Sequence, residues 1–182
     1  MSSLSRMSGS LQPLPVICVV LVGCAHQVFP PPLLKGVDHE FDFARWRMVP
    51  SHIQPTKIQL GGRIIETQVS DKTVLIIAAE LPIVHHPAYG PKQGKSKGEF
   101  VITHQGKIEQ KFLHPGNRLM VVGKTRGTKL VGVDDVPRSL PSLDAHCIHI
   151  WKTGHVDIAD FASSGAGYGV LEEETFCRAG IN

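Results

Sequence analysis

Ile58-Gln59-Leu60-Gly61-Gly62-Arg63-Ile64-Ile65-Glu66-Thr67-Gln68-Val69 is the stretch that decides the fold. Ile58, Leu60, Gly62 and Ile64 alternate with polar or small neighbours, the period of a half-buried strand, before Ile65, Thr67 and Val69 take over the apolar parity. A change of parity inside a β-rich run needs an extra residue. The spacing therefore predicts one long strand, bent by a bulge at Gly61-Gly62. Ser70-Asp71-Lys72 supplies a tight turn, and Thr73 to Ala79 reads as a strand returning along the first.

Working outward, Phe100 to Thr103 gives a third strand, Leu119 to Gly123 a fourth and Ala145 to Trp151 a fifth. Between the third and fourth, Ile108 to Leu113 reads as a short helical turn closed by His114-Pro115-Gly116. A long connection containing Gly and Pro joins the fourth to the fifth. Upstream, Asp42 stands where an N-cap belongs, ahead of Phe43 and Trp46, which are three apart and share a helix face ending before Pro50. Five strands with one small helix between the third and fourth is the order of an OB-type barrel. The expected fold is mainly β: a five-stranded OB-like barrel with short helices, preceded by a leader.

That leader is read from the N-terminus. Arg6 is the only charge before Lys35, and it precedes the apolar run from Leu14 to Val22. Nine residues at about 1.5 Å each fall well short of an apolar bilayer core of about 30 Å, so the run suits a secretory h-region and not a membrane span. Leu21-Val22-Gly23-Cys24 has the pattern of a lipobox: a small residue before the cut and a thiol immediately after it. A thiolate is the nucleophile that would take a diacylglyceryl group. The resemblance to the lipobox of bacterial lipoproteins implies cleavage between Gly23 and Cys24, with lipid on the Cys24 sulfur and a further acyl chain such as palmitate on the new amine. Ala25, in place of an aspartate, resembles the case that lipoproteins of the enterobacterial type send on to the outer membrane.

The whole chain has 182 residues, 42% of them hydrophobic and 19% charged, enough apolar content for one packed domain. Its 18 glycines and 13 prolines favour short strands and turns. A formal charge of +3 is far from the strongly basic field of a dedicated nucleic-acid binder. The expected division is 1–23 signal peptide, 24–41 lipidated Cys24 with a Pro-rich extended spacer, 42–161 OB-type barrel domain and 162–182 flexible tail. Glu172-Glu173-Glu174 in that tail reads as solvated.

Taken in order, Val28-Phe29-Pro30, Phe43-Ala44 with Pro50 beyond, Gly61 to Thr67, Leu81-Pro82, Gly98-Glu99-Phe100, Pro115-Gly116 before a Val-Val-Gly strand, and Ile148-His149-Ile150-Trp151 resemble the Slp family of outer-membrane lipoproteins. The resemblance runs from about Cys24 to Trp151. It implies a lipid-anchored envelope protein facing the periplasm, linked to starvation or stress, and no defined reaction.

Candidate chemistry is sparse. Gly94-Lys95-Ser96-Lys97-Gly98 has the letters of a nucleophile elbow but lies in a loop that opens a strand, whereas an elbow needs a strand before it and a helix after. Gly90 is one residue too close for a Walker A motif. His85-His86 and the group His146, Cys147 and His149 are the metal candidates; on a strand only Cys147 and His149 share a face, while zinc needs three or four ligands. Cys147 and Cys177 are placed to pair in an oxidising compartment or to remain free. Strands two and three offer only Phe100 as a stacking aromatic for oligonucleotides. The expectation is no catalytic residues, no metal, no cofactor and no nucleic acid. Partners would be membrane lipid through Cys24 and an unidentified envelope protein; the alternative is a periplasmic metal or small-ligand binding protein using surface histidines.

Overall fold

The computed structural model describes residues 28–52, 54–83, 95–133, 136–154 and 171–180. Its strands are Lys57–Val69 (β1), Thr73–Leu81 (β2), Glu99–Gln105 (β3), Arg118–Val133 (β4), Val136–Trp151 (β5) and Glu173–Cys177 (β6). β1 pairs antiparallel with β2 and β4, β2 with β3, and β4 with β5. Val101 to Thr103 of β3 then lie parallel to Ser142 to Asp144 of β5. This last pairing closes the ring β1-β2-β3-β5-β4, with the 3-10 turn Gln110–Phe112 between β3 and β4. An OB-type barrel results, as the element order predicts.

The interior is filled by alternate residues of each strand: Ile58, Leu60 and Ile64, Val74, Ile76 and Ala78, Phe100 and Ile102, Leu119 and Val121, Leu143, Ile148 and Ile150. Phe43 and Trp46 join this core from the helix Phe43–Met48 (α2). Asp42 caps that helix as expected, its Oδ1 accepting the N–H groups of Ala44 and Arg45 at 2.9 and 3.2 Å. Phe43 meets Phe100 edge to face with centroids 5.8 Å apart, and the Trp46 indole N–H donates to the Arg126 carbonyl.

The bend of β1 lies elsewhere than predicted. Gly61 and Gly62 pair in regular register with Leu81 and Glu80, and the shift falls between Ile64 and Glu66. Ile65 is therefore the extra residue, and it packs outside the barrel while Ile64 packs inside. Gly62 has a different reason for lacking a side chain. A Cβ there would sit 3.1 Å from the Ala79 carbonyl oxygen and 3.4 Å from the Phe100 ring. The Ala78 Cβ would be as close, at 3.2 Å, so glycine is required by the approach of Ala78 and Ala79 of β2.

Three segments depart from the expected division. The described part of the spacer is docked and not extended: Pro31–Leu34 form a single helical turn (α1), and Phe29, Leu33 and Val37 are buried against Met120, Val122, Cys147 and Trp151. Prolines in a first helical turn lack only N–H groups that have no partner there, so the Pro-rich run tolerates a turn when its apolar neighbours have a surface to cover. Second, the Gly- and Pro-containing connection is no loop. β4 and β5 continue as a paired arm out to Val133 and Val136. Third, the tail contributes β6, antiparallel to β5 from Cys147↔Cys177 to Trp151↔Glu173.

Candidate functional site

Three surfaces of the barrel bear on function: the outer face of β2 and β3, the outer face of β1, β4 and β5, and the β5–β6 edge. Each is described by what covers it.

The β2–β3 face is where OB barrels take oligonucleotides and oligosaccharides, between the β1–β2 turn and the β4–β5 connection. Here the β4–β5 arm folds back across it. Val131 and Val133 of the arm are buried with Ile77 of β2 and Val101 of β3, flanked by Ile65, Leu75 and Leu140. Polar contacts fix the register: the Lys129 ammonium donates to Thr103 Oγ1 at 3.3 Å, the Gln68 amide to the Gly132 carbonyl at 3.2 Å, and Arg138 pairs with Glu99 at 3.0 Å. Phe100, the single aromatic of these strands, is fully buried and points into the barrel. Sequence reasoning missed the arm because Gly127, Gly132, Pro137 and Pro141 read as a loop. The alternation of Lys129, Val131 and Val133 was the signal that would have revealed it.

On the β1–β4–β5 face lie Met120 and Val122, covered by Phe29 and Leu33. Val28 packs against the same cluster. Gly23 and Cys24, the expected cleavage and lipid-attachment positions, lie outside the described residues, as do His85 and His86. Among the described residues no helix is long and apolar enough to cross a membrane.

At the β5–β6 edge, Cys147 and Cys177 are disulfide-bonded. Cys147 is thereby removed from the metal candidates. His149 points to the same side, its Nδ1 2.6 Å from Thr175 Oγ1 and its Nε2 3.5 Å from Glu173, with Trp151 packed edge-on at 4.2 Å. It is part of the strand pairing, not an open ligand. His146 is the bulged residue of β5. Burial, then the charges of Lys57, Arg178 and Lys124, push its pKa down against the pull of Asp144. Among the described residues no three of His, Cys, Asp and Glu converge as metal ligands. Residues 171–180 of the tail, which is expected to be flexible, are instead stitched to the barrel. Phe176 stacks on Phe112 with centroids 5.4 Å apart, and Glu172 takes Lys111 and Lys152, each at 2.7 Å. Those two ammonium groups hold the Glu172 carboxyl down at about 2.

Of Gly94 to Gly98, residues 95–98 are described, and they form a loop. Ser96 Oγ donates to the Gly98 carbonyl and accepts the Gly98 N–H, and the Lys97 N–H donates to Glu80. This hydroxyl shapes the entry to β3, and no helix follows it. A polar hollow of about 280 Å³ lies between residues 50–55 and Arg126-Gly127, lined by Pro50, Ser51, His52 and Gln54. Arg126 there is already paired with Asp144 at 2.7 Å.

Fold and surfaces together define a disulfide-bonded OB-type barrel whose β2–β3 face and β1–β4–β5 face are both covered by its own chain. The profile of the outer membrane lipoprotein Slp family matches residues 21–170, including Cys24, and the chain belongs to that family of outer-membrane lipoproteins. No curated protein matches the sequence. Among solved structures, Schizosaccharomyces pombe Pot1pC bound to single-stranded DNA is similar over 70% of this chain and 84% of that one, with 11% identity and a TM-score of 0.26. A likeness at that level carries no argument about this chain's ligands.

Proposed function

We propose that this outer-membrane lipoprotein is a non-enzymatic envelope module, held by acyl chains on Cys24 after cleavage at Gly23 and facing the periplasm. Its barrel would serve as an interaction surface for another envelope component, in the starvation or stress physiology that the family resemblance implies. The observation that carries this reading is the disposition of the four cysteines. Cys18 lies in the expected leader and Cys147 is bonded to Cys177, so Cys24 is the one thiol of the cleaved chain left for another use. The disulfide itself suits an oxidising compartment. Acyl chains contribute about 0.8 kcal/mol per buried methylene, so a diacylglyceryl group with a third chain makes a lasting anchor.

Intact-mass measurement of the protein from its native envelope tests the reading. The expected species starts at Cys24 and carries lipid mass, and Cys24→Ala leaves the precursor uncleaved by the lipoprotein peptidase. A mature chain with a free Cys24 thiol would refute the anchor. Protease added to intact and to permeabilised cells checks the orientation, with cleavage expected only after permeabilisation.

A further inference from the structure

Among the described residues some cations are paired with a carboxylate and others, spread over several surfaces, are not. Lys111, Lys152, Arg126 and Arg138 are each held by a carboxylate, from Glu109, Glu172, Asp144 and Glu99. Among those without one, Lys57, Lys124 and Arg178 stand close enough to His146 for their charges to act on it, and the Lys35 backbone adjoins Lys57, so these four meet at one edge of the β1–β4–β5 face. Lys57 and Lys124 stand opposite each other in the β1–β4 pair. The Lys57 ammonium donates to the Lys35 carbonyl at 2.9 Å, which binds the N-terminal segment to this edge. Arg178 follows Cys177, the disulfide partner of Cys147, and its N–H donates to the His146 carbonyl at 2.9 Å. Of the nearby acids, Asp144 is engaged by Arg126, and Asp38, whose N–H donates to the Lys57 carbonyl, forms no ion pair with any of the four.

Like charges brought together repel, and the arrangement is relieved by a surface carrying many anions. The same edge adjoins the point where the chain enters the fold. Lys124 is two residues beyond Val122 on β4, hence on the same side of the strand, and Val122 belongs to the apolar cluster on which Val28 and Phe29 are packed. Cys24 is four residues before Val28, a reach of about 14 Å at full extension. A bilayer holding the Cys24 acyl chains is thereby kept close to this edge, at high effective concentration, and charges interact unscreened over only about 8 Å at physiological salt.

We propose that Lys35, Lys57, Lys124 and Arg178 form a docking face for the phosphates of anionic phospholipid headgroups, turning this side of the barrel to the bilayer and the β4–β5 arm away from it. The inference rests on acylation of Cys24 as read above. It adds orientation, since the acyl chains already supply the anchorage. Free inorganic phosphate shares the headgroup's chemistry, but a row of separate cations beside a tether suits an extended charged surface better than one small ion.

The full lipidated protein, reconstituted either in phosphatidylcholine vesicles or in vesicles of equal parts phosphatidylcholine and phosphatidylglycerol, is treated briefly with an amine-reactive label. Site-by-site modification is then read by peptide mass spectrometry. Lys35, Lys57 and Lys124 are expected to be labelled about fivefold more slowly on the anionic vesicles, the factor for one basic residue near such a surface. Lys72 and Lys107, exposed at the far end of β1, should not change. Lys57→Glu with Lys124→Glu should abolish the difference, and Arg178→Gln, at an exposed position near the chain end, should reduce it without disturbing the fold. Equal labelling on both vesicles, with intact mass showing lipid on Cys24, would overturn the proposal and leave the anchor standing. Protection by inorganic phosphate in detergent without phospholipid would replace the membrane with a soluble anion and overturn it too. Should Cys24 prove unacylated, co-sedimentation of the protein with the two vesicle types decides the face separately, and equal binding to both would overturn it.

Discussion

Cys147 and Cys177 stand directly opposite each other in the antiparallel β5–β6 pair, and their disulfide closes a segment 30 residues apart in sequence. Cys147 is buried beneath Phe29 and Val122, so the bond clamps a terminal strand to the cluster that also receives the N-terminal segment. Replacing Cys177 with Ser should cost about 2 to 4 kcal/mol, the usual effect of releasing a loop of this size. Urea denaturation of the oxidised wild type, the reduced wild type and the variant checks it, with the last two expected to coincide. A variant as stable as the oxidised wild type would show that the disulfide adds nothing to the strand pairing already present.

Gly62→Val should destabilise by about 1 to 3 kcal/mol, because a side chain there meets the Ala79 carbonyl and the Phe100 ring. Phe100→Leu in the same chain should recover part of the loss by withdrawing the ring. Thermal melts of the single and double variants give the comparison. Failure of the second change to help would place the strain at Ala78 and Ala79 instead.

His104 is buried inside the barrel, and burial lowers its pKa from the ordinary value of 6.5. The unfolded chain, with the ordinary value, takes up a proton first as pH falls. Stability is therefore unaffected above about pH 6.5 and is lost as pH drops from there toward the folded-state pKa. His146 acts in the same direction. His104→Leu should flatten the slope of urea midpoint against pH between about 7.5 and 5, leaving the share due to His146. An unchanged slope would assign the whole acid sensitivity elsewhere.

The covered β2–β3 face and the inward Phe100 lead us to expect only weak, salt-sensitive binding of single-stranded oligonucleotides. Phosphate contacts alone give Kd values of about 10⁻⁴ to 10⁻⁶ M at physiological salt, while each stacked base would add about 1 to 3 kcal/mol that partly survives high salt. Fluorescence anisotropy with a labelled oligonucleotide across a salt series separates the two. Submicromolar binding that persists at high salt would mean that the arm lifts from the face.

The sequence by itself determined what depends on neighbours in the chain. The alternation from Ile58 to Val69, the turn at Ser70-Asp71-Lys72, the Asp42 cap and the helical turn before His114-Pro115-Gly116 are local signals, and the strand order they give admits an OB-type barrel. The resemblance to the Slp family rested on such residues as well, and the family match agrees. What only the tertiary structure decided is where segments with weak local preference go. Phe29, Leu33 and Val37 sit in a Pro-rich run that reads as extended until Met120 and Val122 offer it an apolar surface. Val131 and Val133 lie among glycines and prolines and become a strand because Ile77 and Val101 are exposed without them. Thr175 to Cys177 are too few to hold a strand alone, and they form one where β5 presents a free edge and a second cysteine. The bulge passed from the glycine pair to Ile65 for the same reason. Parity can announce that an extra residue exists, but which residue it is depends on the pairing with β2, where Ile64 packs inside the barrel and Ile65 outside.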